Sequence, residues 1–248
     1  MTYPLRYLPT GHIFIGPEDD CEQVVDAMLE TEYNEEFCLA PFVHGKQDFN
    51  EEFIHRLMEA GFLVMSAELK NEDPKEDEIE IPPEPFYILL PKLHLIRSIL
   101  FFPELHIKKS ILPFLSRYEL QVNTDFDSIV DKCVQIHGAD WLTPPLVEIL
   151  KSLHMKNIPT KPTSFGVYRE GKLMAGEIGV VTGRVYTSYS GYYEEDNAGT
   201  VQTILMAQWL DKAGFDFLDL GMPLDYKTRL GARDISPSRF VELFRAAR

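Results

Sequence analysis

The chain has 248 residues, 45% of them hydrophobic and 12% aromatic, enough for a substantial core in one large domain or two smaller ones. No apolar run approaches the roughly 20 residues of a membrane span, and the start MTYPLRYLPTG has no basic patch followed by an apolar block, so neither a membrane nor a secretory route is expected. Net charge is −15 at pH 7, which at face value excludes nucleic acid as a partner.

That charge is uneven. Residues 1–85 hold 21 acidic and 5 basic side chains, whereas residues 86–248 hold 18 and 19. The second part therefore tolerates a phosphate backbone, and the first repels one. Cys21, Cys38 and Cys133 are odd in number, widely spaced and without a CxxC pair. They point to neither a disulfide framework nor zinc, and so to a reducing, cytoplasmic setting.

In chain order, EDDCEQVVDAMLETEY (18–33) places Val24, Val25, Met28 and Leu29 on one helical face. FNEEFIHRLMEAGFLVMS (49–66) reads as a helix capped by Asn50, closed at Gly61 and followed by a strand. The acidic, proline-rich run over 68–85 reads as a linker. It would divide a small acidic N-terminal domain, 1–85, from a larger domain, 86–248. Residues 86–102 mix short strand signals with a basic edge, and 102–119 contain a helix of roughly ten residues. NTDFDSIVDKCVQIHG (123–138) is a helix capped by Asn123 or Thr124 and ended by Gly138, and 143–157 is another with proline in its first turn.

The period then changes. Residues 163–193 read as three strands, turning at Arg169–Lys172 and at Thr182–Arg184. A helix over 199–215, the strand FDFLDLG and the short helix SPSRFVELFRAA follow. A meander, a crossover helix and a further strand make an α/β (α+β) pattern, with a GNAT-type acyltransferase domain among its options.

Ordered motifs go further than pattern. FPELHIKKSI (102–111), Trp141-Leu142-Thr143, SFGVYREGKLMAGEIGVVTGRVY (164–186), DNAG (196–199), FLDLG (217–221) and RLGARDISPSRF (229–240) occur in one order along the chain. This set resembles the leucyl/phenylalanyl-tRNA–protein transferases. The resemblance implies a GNAT-type catalytic domain with a smaller N-terminal α/β domain. It also implies transfer of leucine or phenylalanine from charged tRNA to the amino terminus of a protein beginning with Arg or Lys. No metal or redox cofactor is implied. Residue by residue, it matches Asp219, Trp141 and His106. Ser188 or Tyr189 stands where the family has a Glu on the last meander strand, Gly221 where it has a Gln, and Met65 where it has a Trp beside the substrate pocket.

The residues admit both chemical and plain readings. Asp219 lies among apolar neighbours, where a carboxylate costs several kcal/mol unless paired. It is expected either to face an open cleft and receive the acceptor's ammonium, or to pair with Arg229 or cap a turn. Trp141 is a core anchor or a wall of the amino-acid pocket, with Met65, Ser188, Tyr189 and Gly221. Glu194, Glu195 and Asp196 belong to a capped loop or hold the basic side chain of the acceptor. Lys92, His94, Arg97, His106, Lys108, Lys109 and Arg117 are a solvated face or a tRNA phosphate site. DNAGT lacks the glycines of a pyrophosphate loop, which counts against an acetyl-CoA enzyme. Two other classes stay open: a non-catalytic binding module of the same fold, and an acyltransferase with another donor.

Overall fold

The computed structural model describes residues 3–44, 49–69 and 86–248. The expected linker, apart from Glu68 and Leu69, lies outside the described residues. The chain forms two compact units, Met1–Leu93 with His137–Ser152, and His94–Ile136 with Leu153–Arg248. Among the described residues no helix is long and apolar enough to cross a membrane.

The first unit begins with an antiparallel pair, β1 (Arg6–Tyr7) and β2 (Ile13–Phe14), followed by α1 (Cys21–Glu30). β3 (Phe42–His44), α2 (Glu51–Glu59), β4 (Leu63–Leu69) and β5 (Phe86–Lys92) come next, with the strands in the order β3-β5-β4. Asp20 caps α1 by accepting from the amides of Glu22 and Gln23, and Asn50 caps α2 by accepting from that of Phe53. The expected division after residue 85 differs from the compact units. β5 pairs with β4 along its whole length, from Phe86 opposite Leu69 to Lys92 opposite Leu63, so its backbone hydrogen bonds hold it in the first unit.

The second unit is built on a seven-stranded sheet. It runs through β6 (Arg97–Leu100), α3 (Leu112–Leu115), β7 (Glu119–Val122), α4 (Phe126–His137) and the end of α5 (Pro144–His154). The expected meander follows as β8 (Thr160–Arg169), β9 (Lys172–Thr182) and β10 (Val185–Tyr193). Then come α6 (Ala198–Lys212), β11 (Phe217–Asp219), α7 (Asp225–Arg229), β12 (Arg233–Ile235) and α8 (Pro237–Ala247). The sheet order is β12-β6-β11-β10-β9-β8-β7, with β10 and β11 parallel and every other pair antiparallel. This is the meander, crossover helix and parallel strand that the sequence pattern suggests. α6 covers one face, burying Val201, Ile204, Met206, Ala207 and Leu210 against Phe165, Val167, Tyr186 and Leu218.

Two expectations change. The helix within 102–119 shortens to α3, because Pro103 and Pro113 interrupt it and Glu119–Val122 pairs with the edge of β8. Asn123 does not cap α4; its side chain accepts instead from the amide of Ser164 at 2.9 Å.

The motifs at 102–111 and 229–240 meet in space. The amide of His106 donates to the carbonyl of Leu230 at 2.9 Å, and Arg233 pairs with Glu104. Gly231 allows this approach: its φ is +100°, and a Cβ there would lie 2.0 Å from the carbonyl oxygen of Glu104. Gly231→Ala is expected to cost at least about 2 kcal/mol, from overpacking and left-handed strain together. Urea unfolding measures it; an unchanged midpoint contradicts the packing described.

Candidate active site

β11 pairs with β10 only at Val185–Phe217, Tyr186–Leu218 and Thr187–Asp219. Beyond Asp219 the chain turns toward β6. The amide of Leu220 donates to the carbonyl of Ser98 at 2.9 Å, and the carbonyl of Gly221 accepts from the amide of Ser98 at 2.7 Å. β10 continues to Tyr193, so the parallel strands part after Thr187 and Asp219. A register shift between Ser188 and Ser190 bends β10 at the parting point. In open sheets, ligands bind where parallel strands part at their carboxyl ends.

Asp219 sits at this fork but is turned away from it. Its side chain is fully buried, and Oδ1 accepts from Arg97 Nε at 3.2 Å and from the amide of Gly221 at 2.9 Å. The Arg97 guanidinium lies 3.9 Å from the ring centroid of Phe240. Asp219 therefore pairs with Arg97 rather than with Arg229, and it faces packed side chains rather than an open cleft. That corrects the expectation that it receives the acceptor's ammonium. Gly221 likewise spends its backbone on Asp219 and Ser98.

A second carboxylate lies beside the fork, and the motif reading passes over it. Glu177, on β9 opposite Gly191, is 6% exposed, and its Oε1 has no hydrogen-bond partner among the described residues. Burial pushes its carboxyl up to about 7, while Ser188, Gln202, the Lys227 ammonium and the Tyr186 hydroxyl pull the other way. Tyr186 reaches across Gly179, where a Cβ would stand 2.6 Å from its hydroxyl, and its own pKa is raised well above the ordinary value by burial. Lys227, also buried, donates to the carbonyls of Leu220 and Met222, the latter at 2.7 Å, and so pins the turn after β11. Burial lowers its pKa against the charges of Asp219, Glu177 and Asp234. The signal for Glu177 was present in the sequence as a lone acid in the run LMAGEIGVV, flanked by Gly176 and Gly179.

Other expected residues are dispersed. Trp141 and Met65 are half-buried in the first unit, brought together by the amide of Ser66, which donates to the Trp141 carbonyl at 2.9 Å. Ser188 and Tyr189 are half-buried on β10. Glu194 pairs with Lys132 at 2.6 Å, and Glu195 with Arg169 at 2.8 Å, so both are already engaged; Asp196 is exposed. The basic cluster divides. Arg97 is held by Asp219, and Lys92 is 7% exposed, paired with Glu36 at 2.9 Å and set over Phe37. Their burial corrects their assignment to a phosphate surface. His106, Lys108, Lys109 and Arg117 remain exposed.

Residues 99–245 match the family described as leucyl/phenylalanyl-tRNA protein transferase. The chain belongs to this family. A leucyl/phenylalanyl-tRNA–protein transferase of Pseudomonas putida strain W619 is 32% identical over 151 residues, covering 59% of this chain and 66% of the relative. That of Pseudomonas aeruginosa strain PAO1 is 32% identical over the same length and the same shares. The match thus spans slightly less than two thirds of these family members. Among solved structures, FemX aligns with a TM-score of 0.46 at 10% identity, covering 96% of this chain and 85% of that one. L-PGS from Bacillus licheniformis aligns at 0.40 and 11% identity, covering 97% and 88%.

Two outcomes test the electrostatics. Asp219→Ala leaves a buried guanidinium without its carboxylate and is expected to cost about 3–5 kcal/mol, most of it recovered when Arg97→Met is added. Urea denaturation of both variants measures this, and additive losses would refute the pairing. Glu177 has a folded-state pKa raised to about 7 from 4.5. Below 4.5 the group is neutral in both states; between 4.5 and 7 only the unfolded chain ionises, so stability falls as pH rises; above 7 the deficit is constant. Glu177→Gln should therefore be more stable than the parent above pH 7, by up to about 3 kcal/mol, and similar near pH 4. Thermal midpoints across pH 4–8 decide it.

Proposed function

We propose that the protein is an aminoacyl-tRNA–protein transferase, moving an amino acid from charged tRNA to the amino terminus of a protein. The observation that carries this reading is the match to the transferase family over residues 99–245, which contains the diverging strands and their polar cluster. Leucine or phenylalanine is the donor in this reading, as the names of the relatives say of those proteins, and a protein beginning with Arg or Lys is the acceptor that the resemblance of the ordered motifs implies. Such a reaction needs charged tRNA, so its place is the cytoplasm.

The chemistry asks for three things. An ester carbonyl and an amine must be held together, the amine must lose its proton, and the oxyanion must be stabilised. In this proposal Ser188 and Tyr189 line the reacting end on β10. Asp196, the exposed member of its acidic loop, meets the acceptor's basic side chain. The exposed His106, Lys108, Lys109 and Arg117 contact tRNA phosphates and add salt-sensitive affinity without reading sequence.

Purified protein, tRNA charged with labelled leucine or phenylalanine, and a model protein with N-terminal Arg should yield labelled acceptor. Absence of label with both donors overturns the proposal. Lys108→Glu with Lys109→Glu should weaken charged-tRNA binding and lower the slope of log affinity against log salt by about 2. An unchanged slope in filter-binding titrations removes this surface from the interface.

A further inference from the structure

We infer that Glu177 is the general base of the transfer, taking the proton from the acceptor's amine at the point where β10 and β11 part. This rests on the proposed transferase reading and assigns its proton acceptor to a strand, β9, on which the family motifs place no reacting group.

The other charged groups around the fork are engaged. Asp219 is sealed against Arg97, Lys227 is committed to the carbonyls of Leu220 and Met222, and Glu194 and Glu195 hold Lys132 and Arg169. Two buried carboxylate oxygens here make no hydrogen bond among the described residues, Asp219 Oδ2 and Glu177 Oε1; Asp219 is tied to Arg97 and to the Gly221 amide through its other oxygen, and Glu177 is the one of the two not bound to an arginine. A buried carboxylate oxygen left without a donor is an expensive arrangement, and a ligand's N–H would satisfy it. The neighbour of Glu177 across the ladder on β10 is a glycine. Gly191, directly opposite, is exposed, and a Cβ there would lie 3.6 Å from the Cβ and Cγ of Glu177, on the face its side chain occupies. The half-buried Ser188 hydroxyl stands beside Glu177, at the bend where the strands separate.

The groups facing Glu177 come from every element packed on it. They are Tyr186 and Ser188 of β10, Gln202 of α6, Tyr226 and Lys227 of α7, and Cys133 of α4. Burial raises the Tyr226 phenol and the Cys133 thiol to about 12 and the Tyr186 phenol well above its ordinary value, so all three stay neutral near pH 7. Lys227 is the cation of the set, and its charge draws the carboxyl down against the effect of burial.

The step balances as follows. The acceptor's ammonium releases one proton to water and becomes an amine. Its nitrogen attacks the ester carbonyl carbon, forming the C–N bond and an oxyanion. The nitrogen's surplus proton passes to Glu177. As the C–O bond to the terminal ribose breaks, Glu177 gives that proton to the departing ribose oxygen. The products are an amide and a free tRNA hydroxyl, and Glu177 is again a carboxylate.

The test uses the full chain, labelled leucyl- or phenylalanyl-tRNA and an Arg-initiated peptide. Glu177→Gln should keep its fold by circular dichroism and bind charged tRNA as the parent does, while its turnover falls about 10²- to 10⁴-fold, the span of general-base catalysis. Formate added to Glu177→Ala should restore part of the rate, a response that a structural role does not give. Should the amide variant not fold, Glu177→Asp withdraws the carboxylate by one methylene, and a loss of at least tenfold reads the same geometry. If the parent transfers label and Glu177→Gln or Glu177→Asp does so equally well, the inference falls and the transferase reading stands. If the parent transfers nothing, the transferase reading falls and takes this inference with it.

Discussion

The ion pair between Arg97 and Asp219 is the constraint from which the second unit takes its shape. Arg97 is 1% exposed and Asp219 is fully buried, so neither charge has water to fall back on. A buried pair is tolerated only when its geometry is enforced on every side. Here the enforcement comes from β6, which carries Arg97, from β11, which carries Asp219, and from the Phe240 ring of α8 under the guanidinium. Asp219 Oδ1 also binds the amide of Gly221, which draws the chain after β11 toward β6 and away from β10. The separation of the parallel strands therefore follows from where a charge had to be neutralised. Lys227 then fixes the turn by taking the carbonyls of Leu220 and Met222.

Much of this was legible in the sequence, and the losses have physical causes. Long periodic segments showed themselves: the helices α1, α2, α4, α5 and α6, and the three meander strands. The edge strands β7 and β12 did not, because a strand of three or four residues with a polar outer face carries too little alternation to register. Asp219 was conspicuous as an acid among apolar residues, but its partner lies 122 positions earlier, and no local spacing announces such a pairing. Glu177 carried the same signature within LMAGEIGVV. The family resemblance carries no acid at that position; its Glu falls on the following strand, where Ser188 and Tyr189 stand.

The basic stretch shows how sequence proximity misleads about charge. Lys92 and Arg97 lie on strands at inward positions, where a cation must find an anion and an aromatic face; each does, with Glu36 and Phe37, and with Asp219 and Phe240. Lys108, Lys109 and Arg117 lie exposed around the short helix α3, Arg117 with its guanidinium 4.7 Å from the ring centroid of Phe114. One run of cations thus contains two populations with opposite physics. The inner ones hold the fold together, and the outer ones are available to a polyanion despite a chain whose net charge is −15.

The environment of Glu177 has the balance that a proton acceptor for an amine requires. Burial alone would carry its carboxyl far up and leave it neutral at working pH, unable to accept a proton. A full set of donors or a close ion pair would hold it near the ordinary 4.5, too weak a base for the task. Ser188, Gln202 and Lys227 supply part of that compensation and leave Oε1 empty-handed, which puts the group at about 7. A base poised near the working pH is where general-base catalysis is most effective. The folded protein sacrifices stability to keep that group ionisable on a central, hydrogen-bonded strand. An uncompensated buried oxygen makes physical sense there if its missing partner arrives with the substrate.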